Sequence, residues 1–304
     1  MPTYGVVDMG SNTVRLVVYD VEGGGNDQRP RFHSVINDKV MAGLASYVEN
    51  KTFTQAGVER ASKVLSDHLT RAAYFGCKRT DVFATAVLRN AENGEEAVRA
   101  IERRCNTNIT LLSGADEAKL GFVGATCDYR IDDGLIVDIG GGSTEITRIE
   151  AGNITHTVSI GQGSLSSYER FVSGVFPTQQ EARAIASEFE RNLDNIADID
   201  RFACDVAYGV GGSVRATAKL LSLGRRPKVF GILDAASVIE RCLTDTNAFA
   251  HHAVRAVPER MHTAVPGCII LTTLMRRLNI GRVCVCKHGL RDGYLLTRMI
   301  PQTR

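Results

Sequence analysis

The sequence predicts an α/β fold made of two related halves that flank a cleft. The first observation is the segment Leu135–Ile146, where an apolar run leads to Asp138, the glycines Gly140–Gly142 and then strand-like residues again. The second is a related segment that starts at Tyr4 and carries the same pattern 130 residues earlier. Between them, short apolar runs alternate with stretches of helical periodicity, which is typical of a layered α/β protein.

The glycine turn of the second half predicts a β-hairpin with a ligand-binding tip. Glycines admit backbone conformations closed to other residues, and they let a ligand approach main-chain N–H groups without meeting a Cβ. Such a turn can bind phosphate. For a single copy, an ordinary hairpin that uses Gly-Gly as its turn is the simpler interpretation.

The second copy favours the functional interpretation. Asp8 matches Asp138, and Gly10 matches Gly140. Each copy is followed by another small turn, Glu22-Gly-Gly-Gly in the first half, and by a further strand-like segment. The chain therefore reads as two halves that each open with a meander, with an Asp and a phosphate loop on each wall of the predicted cleft.

Length and composition set the domain organisation. We expect two domains in 304 residues, 1–128 and 129–304, with the last helix packing back on the first. A composition of 44% hydrophobic and 23% charged residues is that of a globular protein, and a net charge of +2 gives no case for nucleic acid. We find no apolar run of membrane-spanning length and no signal peptide, so we expect a cytoplasmic location and no membrane contact.

Local patterns predict the remaining elements. Thr178 and Glu181 form a capping-box pattern at the start of a charged helix. The other expected helices and strands are a helix over 54–75, a strand from 81, a helix over 91–105, a strand over 109–112, a helix entered from the loop at 113, a strand–turn–helix over 204–216, helical structure over 228–260, a helix over 266–275, a strand over 281–286 and a last helix from 289.

Eight scattered cysteines predict reduced core thiols rather than disulfides. Cys284 and Cys286 lie on one face of a probable strand, but a second ligand pair at suitable spacing is missing, so we discount a zinc site. The adjacent His251 and His252 face different sides of a helix, which argues against metal ligation.

Five motifs follow one another along the chain. They are Asp8-Met-Gly-Ser-Asn-Thr, Thr85-Ala-Val-Leu-Arg-Asn-Ala-Glu-Asn, Ser113-Gly-Ala-Asp-Glu-Ala, Asp138-Ile-Gly-Gly-Gly-Ser-Thr-Glu and Gly209-Val-Gly-Gly-Ser-Val-Arg-Ala-Thr-Ala. In this order they resemble the exopolyphosphatase and guanosine pentaphosphate phosphatase family, within the actin, sugar kinase and Hsp70 superfamily. The match runs along essentially the whole chain and is similar to the short, two-domain members. Several motifs in the right order are far more specific than one alone.

The resemblance implies two actin-like (ribonuclease H-like) domains and metal-assisted attack of water on a terminal phosphoryl group. It implies Glu117 as the general base and Arg89 as a phosphate contact. The expected metal is Mg²⁺, with Mn²⁺ as the alternative, held by Asp8, Asp138 and Glu145. Asp138 and Glu145 also count among the expected catalytic residues. The substrate-binding groups expected beside Arg89 are Ser11, Asn12, Thr13, Gly140, Gly141, Gly142, Ser143, Thr144, Gly211 and Gly212.

Several alternatives stay open at this point. The partner is inorganic polyphosphate, in short chains, or guanosine pentaphosphate, and a monomer or a homodimer fits equally. Gly211 and Gly212 either contact a base or ribose or only allow tight strand-to-helix packing. The ending Gly289-Leu-Arg-Asp-Gly resembles the family's last motif, but Cys286 replaces a serine, so any serine role is in doubt. A small-molecule kinase and a non-enzymatic actin-like protein are the rival classes.

Overall fold

The computed structural model describes residues 1–22, 30–222 and 226–300. The chain divides into two compact units, one formed by Met1–Glu117 with a C-terminal segment from Tyr294, the other by Ala118–Gly293. The sequence placed the division after residue 128. It falls earlier because the helix that follows Glu117 packs with the second unit, where Gly124 approaches the backbone of Gly289 so closely that a Cβ there would lie 2.1 Å from its carbonyl oxygen.

The first unit contains a five-stranded sheet among its described residues. The order of its strands is β3-β2-β1-β6-β7. The first three strands run antiparallel as a meander, and β6 and β7 follow in parallel. A two-residue pair, β4 and β5, stands apart. The strands are β1 (Thr3–Met9), β2 (Thr13–Glu22), β3 (Arg31–Met41), β4 (Val48–Glu49), β5 (Thr52–Phe53), β6 (Arg79–Ala84) and β7 (Ile109–Leu111).

The helices of this unit cover its sheet and bury a core of aliphatic side chains. Thr54 caps the first helix, as its hydroxyl accepts the amide of Gly57 at 3.2 Å. At the C-terminal end, the ring of Tyr294 lies 4.9 Å from that of Phe83. The helices are α1 (Gln55–Tyr74), α2 (Ala86–Arg89), α3 (Gly94–Cys105) and α4 (Gly114–Ala125), which contains the division point, with a 3₁₀ turn at Leu44–Tyr47.

The sheet of the second unit repeats this arrangement. Its order is β10-β9-β8-β11-β13-β12, again an antiparallel meander followed by the parallel strands β11 and β13, with β12 antiparallel at the edge. The strands are β8 (Gly134–Ile139), β9 (Thr144–Glu150), β10 (Asn153–Ile160), β11 (Val206–Val210), β12 (Val229–Gly231) and β13 (Arg282–Val285). The shared meander-first topology confirms the internal repeat and the actin-like fold class. The turn expected after Glu22 lies outside the described residues.

Helices bury the second core, with α10 as its centre. That helix is buried from Ala264 to Met275. The helices are α5 (Ser164–Phe171), α6 (Gln179–Asp194), α7 (Gly211–Leu220), α8 (Ile232–Thr244), α9 (Thr246–Ala256), α10 (Ala264–Arg277) and α11 (Leu290–Tyr294), with 3₁₀ turns at Ile199–Phe202 and Pro258–Arg260. The π-helical turn at Leu295–Met299 that follows α11 belongs to the first unit. None of the described helices is both long and apolar enough to cross a bilayer.

One prediction for the second unit was wrong in part. The stretch 228–260 was expected to be helical, yet it opens with the three-residue strand β12, which pairs antiparallel with β13. Phe230 of this strand is buried. So short an edge strand depends on its neighbour in the sheet rather than on local propensity, which is why periodicity missed it.

The capping box at Thr178 and Glu181 is confirmed. The Thr178 hydroxyl accepts the Glu181 amide at 3.3 Å, and the carboxylate accepts the Thr178 amide at 2.8 Å and the Ser173 hydroxyl at 2.7 Å. These hydrogen bonds lower the pKa of Glu181 to about 2. A lowered pKa means that the carboxylate stabilises the folded state above its ordinary pKa and that this contribution fades as the pH falls towards 2.

We therefore expect Glu181→Gln to lower the free energy of unfolding by about 1 kcal/mol at pH 7. The difference from wild type should shrink as the pH falls to 3, because the Glu181 carboxylate of the unfolded wild-type chain then takes up a proton, while that of the folded chain with its lowered pKa stays mostly ionised. Urea titrations at both pH values measure this. The exposed Glu190 on the same helix supplies the control Glu190→Gln, for which we expect no pH-dependent difference. An E181Q deficit that is equal at both pH values would contradict the prediction.

Candidate functional site

The glycine turn between β8 and β9 is held in place through its carbonyl groups. The amide of Gly140 donates to the Ser143 carbonyl at 2.9 Å and closes the turn. The Gly140 carbonyl accepts the Ser164 amide, and the Gly141 carbonyl accepts the amide of Leu165 at 2.9 Å. These donors are the first amides of α5, which have no partner within their own helix. The N-terminus of α5 is therefore used to orient the turn.

This orientation fixes where the amides of the turn point. In a planar trans peptide the C=O and the following N–H point in opposite directions. Because the carbonyls of Gly140 and Gly141 point at α5, the N–H groups of Gly141 and Gly142 point away from it. Within the part of the chain that the structure describes, neither N–H group has a protein acceptor. Two such donors side by side form a small anion-binding nest.

Side chains that the sequence analysis did not single out complete this support. The Ser164 hydroxyl donates to the Gly140 carbonyl at 2.9 Å, and the Ser213 hydroxyl to the Ile139 carbonyl at 2.7 Å. A Cβ on Gly163 would lie 2.5 Å from the Gly141 carbonyl oxygen, so only glycine fits there. Ser213 belongs to the motif that starts at Gly209, but no local pattern indicated that Ser164, Ser213 or Gly163 would contact this turn.

Thr144 was expected to contact substrate, but the structure gives its hydroxyl another partner. The side chain is fully buried and donates to the Gln162 carbonyl at 2.7 Å. The hydroxyl thus fastens the start of β9 to the segment before α5. Ser143 is also buried, with 4% of its surface exposed.

The corresponding turn in the first unit has the same closing bond. The Gly10 amide donates to the Thr13 carbonyl at 3.0 Å. The carbonyls of Ser11 and Asn12 accept the amides of Ala45 at 2.9 Å and Gly43 at 3.0 Å. By the same peptide geometry, the Asn12 amide points away from this supporting segment. Both repeats thus present turn amides by fixing the carbonyls behind them.

The two hairpins differ in the residue opposite the matched aspartate. In the first unit Asp8 pairs in register with Arg15, whereas in the second Asp138 pairs with Glu145. Directly opposite residues of an antiparallel pair lie on the same face, where like charges are destabilising. Glu145 is buried, and its carboxylate accepts the Ser159 hydroxyl at 2.9 Å. The second hairpin thus presents two carboxylates together.

Gly211 and Gly212 lie at the N-terminus of α7 and make room for charged side chains of the same unit. Gly211 has φ +78°, and a Cβ there would lie 2.1 Å from Oδ1 of Asp138. A Cβ on Gly212 would lie 2.0 Å from Nη2 of Arg260. The Asp138 carboxylate is therefore close to the positive end of the α7 dipole. Gly211 and Gly212 therefore allow close packing, which was one of the two interpretations of these glycines. They pack against the side chains of Asp138 and Arg260 rather than against backbone.

Three arginines gather near Asp138. Burial and the charge of Arg291, opposed by the charge of Asp138, lower the pKa of Arg215 to about 10. Burial and the charge of Arg291 also lower the pKa of Arg260. Arg215 donates to the carbonyl of Cys286 at 3.2 Å. Guanidinium groups crowded in this way repel one another, and a bound phosphate would relieve that repulsion.

Arg291 is placed by a fixed loop. Asp128 accepts the amides of Lys287 at 2.7 Å and His288 at 2.8 Å, and its other oxygen lies 2.9 Å from Nδ1 of His288. The Asp128 hydrogen bond raises the pKa of His288. The loop leads directly into α11, which carries Arg291. Sequence reasoning found Arg291 but neither Asp128 nor Arg260.

Glu117 and Arg89 form an ion pair in the first unit. Arg89 also donates to the Leu112 carbonyl at 3.1 Å, and both side chains are largely buried. The neighbouring acid, Asp116, has a different role, because its carboxylate accepts the Ser113 hydroxyl at 2.6 Å while its amide donates back to that hydroxyl. Asp116 thus caps α4, whereas Glu117 is paired with Arg89.

The structure brings together only some of the predicted metal ligands, and it contains the cysteines as thiols. Among the described residues, no three His, Cys, Asp or Glu side chains converge as a metal site. Of Asp8, Asp138 and Glu145, the last two are brought together on one hairpin. All eight cysteines are free thiols. Cys286 is buried, and burial raises the pKa of its thiol.

Comparison with known proteins gives a consistent result. The model of the Ppx/GppA phosphatase family matches residues 17–301. Exopolyphosphatase 1 of Mycobacterium bovis is 26% identical over 310 residues, covering 97% of this chain and 88% of the relative. The guanosine-5'-triphosphate,3'-diphosphate pyrophosphatase of Pseudoalteromonas atlantica is 24% identical and covers 96% of this chain, which spans 58% of that protein.

Solved structures share the fold. The crystal structure of an exopolyphosphatase from Cytophaga hutchinsonii superposes with a TM-score of 0.81 at 20% identity, covering 97% of each chain. An Aquifex aeolicus member of the Ppx/GppA family gives a TM-score of 0.75 at 20% identity, also over 97% of each chain. These likenesses extend over both units.

The contact between Gly211 and Asp138 yields a test with a matched control. Gly211→Ala and Gly152→Ala both place a Cβ at a positive φ, +78° and +73°, and each should lose about 1–2 kcal/mol of stability. Gly152 has nothing within 4 Å, whereas alanine at 211 displaces Asp138 and with it the start of the glycine turn. We expect only G211A to bind pyrophosphate about tenfold more weakly by calorimetry. If G211A and G152A bound pyrophosphate with equal affinity, Asp138 would have no part in anion binding.

Proposed function

Because the chain belongs to the Ppx/GppA phosphatase family, we propose that it is an exopolyphosphatase that releases terminal phosphate from short inorganic polyphosphate. Members of this family hydrolyse phosphoanhydride bonds. The observation that carries the proposal is the glycine turn whose Gly141 and Gly142 amides point away from α5 without a protein acceptor among the described residues. Amides arranged in this way suit phosphoryl oxygens, since their position costs no reorganisation when charge develops.

The arginines of the second unit support a substrate rich in phosphate. Arg215, Arg260 and Arg291 place three guanidinium groups near one another and near Asp138. Guanidinium groups bind phosphate with paired hydrogen bonds. The low net charge of +2 supports short chains, because few phosphates could be held outside such a local cluster.

Glu117 is the general base of the proposed reaction. Its carboxylate takes a proton from water, the water oxygen forms a bond to the terminal phosphorus, and the bond from that phosphorus to the bridging oxygen breaks. The shortened chain leaves with the bridging oxygen, and inorganic phosphate is the second product. Arg89, already paired with Glu117, holds the base in place and adds positive charge for phosphoryl oxygens.

Asp138 and Glu145 fit a magnesium ion. Two carboxylates directly opposite on one hairpin face repel each other unless a cation lies between them. Magnesium is commonly held by one or two carboxylates together with waters and substrate phosphates, so a cluster of three acids is not needed. When bound, the ion neutralises charge on the phosphoryl oxygens. Asp8 completes the proposed ligand set of Asp8, Asp138 and Glu145, and Mn²⁺ is the alternative ion.

Guanosine pentaphosphate is the second candidate substrate. The Pseudoalteromonas relative, named for a guanosine polyphosphate, matches 96% of this chain. A kinase is less well supported, because the position at Gly211 and Gly212 that would contact a nucleotide lies against the side chains of Asp138 and Arg260.

Replacing the proposed base tests the mechanism. Glu117→Gln keeps an oxygen acceptor for Arg89 but removes the proton-accepting carboxylate, so kcat should fall by about two to four orders of magnitude with little change in KM. Asp116→Asn is the matched control. It should weaken the cap of α4 and lower the melting temperature while changing kcat only a few-fold. Wild-type turnover in E117Q would remove Glu117 from the mechanism.

The substrate and the metal are tested together by measuring phosphate release. We expect release from tripolyphosphate with Mg²⁺ and little without it, and a lower kcat/KM for guanosine pentaphosphate. Glu145→Gln should raise the Mg²⁺ concentration for half-maximal rate about tenfold, and Ser159→Ala should raise it less because the carboxylate remains. Phosphate transfer to an acceptor from ATP, with no release from either polyphosphate, would point to a kinase instead.

A further inference from the structure

A basic surface cleft of about 540 Å³ lies in the second unit, away from the residues described above. It is formed where the C-terminal end of α7 meets α9. Its polar lining consists of Lys219, Ser222, Arg226, His251, His252 and Arg255, and two alanines complete the wall. We call this the basic cleft. The sequence analysis noted its histidines only to dismiss a metal site.

Among the described residues, the basic cleft is lined by basic side chains without acidic ones. Lys219, Arg226 and Arg255 form no ion pair within the described part of the chain. Elsewhere in the same unit, Arg277 binds both Asp194 and Asp200 at 2.9 Å. Cations left without acids around a concave surface form a binding site for an anion.

Hydrogen bonds on the floor of the cleft define the state of one histidine. The Leu220 carbonyl accepts Nη2 of Arg241 at 2.6 Å and lies 3.1 Å from Nε2 of His252. Because a carbonyl can only accept, Nε2 of His252 must carry the proton. The two hydrogen bonds fix the end of α7 against α8 and α9.

The chemistry of the lining indicates phosphate groups rather than a nucleobase or an apolar ligand. The lining contains no Phe, Tyr or Trp among the described residues. Lysine, arginine and histidine donors with one hydroxyl suit the many oxygens of a phosphoryl chain. A volume of about 540 Å³ can hold several phosphoryl groups.

The basic cleft is separate from the glycine turn. Gly211 begins α7 and Lys219 lies in its last turn, so the two ends of this ten-residue helix are about 15 Å apart. A single phosphate cannot reach both ends. We infer that the basic cleft is a second anion site that binds an oligophosphate, either inorganic or carried by a guanosine nucleotide.

Calorimetric titration with tripolyphosphate, without metal so that hydrolysis is avoided, tests this inference. We expect wild type to bind two anions per chain and Lys219→Gln/Arg255→Gln to bind one. G211A should weaken the other site. The control is Arg103→Gln/Arg276→Gln, which removes the same charge from two exposed cations that also lie in last helical turns. The control should still bind two.

The outcomes separate the alternatives. A K219Q/R255Q variant that binds as many anions as wild type would overturn the inference, whether wild type binds one or two. So would a lower melting temperature in K219Q/R255Q with unchanged stoichiometry, since these cations would then serve only the helix ends. A parallel titration with guanosine tetraphosphate identifies the source. An equal loss of one site with both ligands supports recognition of the phosphate chain alone, whereas a loss seen only with guanosine tetraphosphate assigns the cleft to a phosphate chain carried by a guanosine nucleotide.

The readout is independent of the proposed hydrolysis. Phosphate release from tripolyphosphate at saturating substrate should be unchanged in K219Q/R255Q, because neither residue belongs to the catalytic groups. If the chain released no phosphate at all, calorimetry would still report whether the basic cleft binds an anion.

Discussion

The site of the second unit depends on the direction of two peptide groups. The carbonyls of Gly140 and Gly141 are held by the first amides of α5 and by the Ser164 hydroxyl. Those bonds satisfy a helix end that would otherwise leave donors unpaired, and in the same geometry they turn two amides outward. The fold and the binding groups are therefore stabilised by the same contacts. Gly163 is part of this arrangement, because any side chain there would strike the Gly141 carbonyl.

Much of the fold could be predicted because its signals are local or repeated. The repeat of Asp8 and Asp138 predicted two meanders, and both sheets begin with one. The capping box at Thr178 and Glu181 spans four residues and was found directly. The strand β12 was missed because three residues form it only against β13.

The site was predicted less completely, since it is built from side chains distant in sequence. Ser213 supports a carbonyl 74 residues away, and Arg260 reaches the glycine at position 212. No spacing rule links such pairs, because tertiary packing alone brings them together. Thr144 is the opposite case, because it lies in the motif that starts at Asp138 but its hydroxyl holds the turn in place instead of facing a ligand. Motifs locate the turn, and only packing shows which of its groups are available.

The residue opposite the matched aspartate determines whether the aspartate of each hairpin faces an opposite or a like charge. With Arg15 opposite, the aspartate of the first unit already faces a cation supplied by the chain. With Glu145 opposite, that of the second unit faces a like charge. Two copies of one structural unit can thus diverge at a single cross-strand position while the strands keep their pairing. An internal duplication needs no new loop to become asymmetric, because one acid-for-base exchange places a cation opposite the aspartate in one hairpin and a second acid opposite it in the other, where Arg215 and Arg260 of the same unit lie near Asp138.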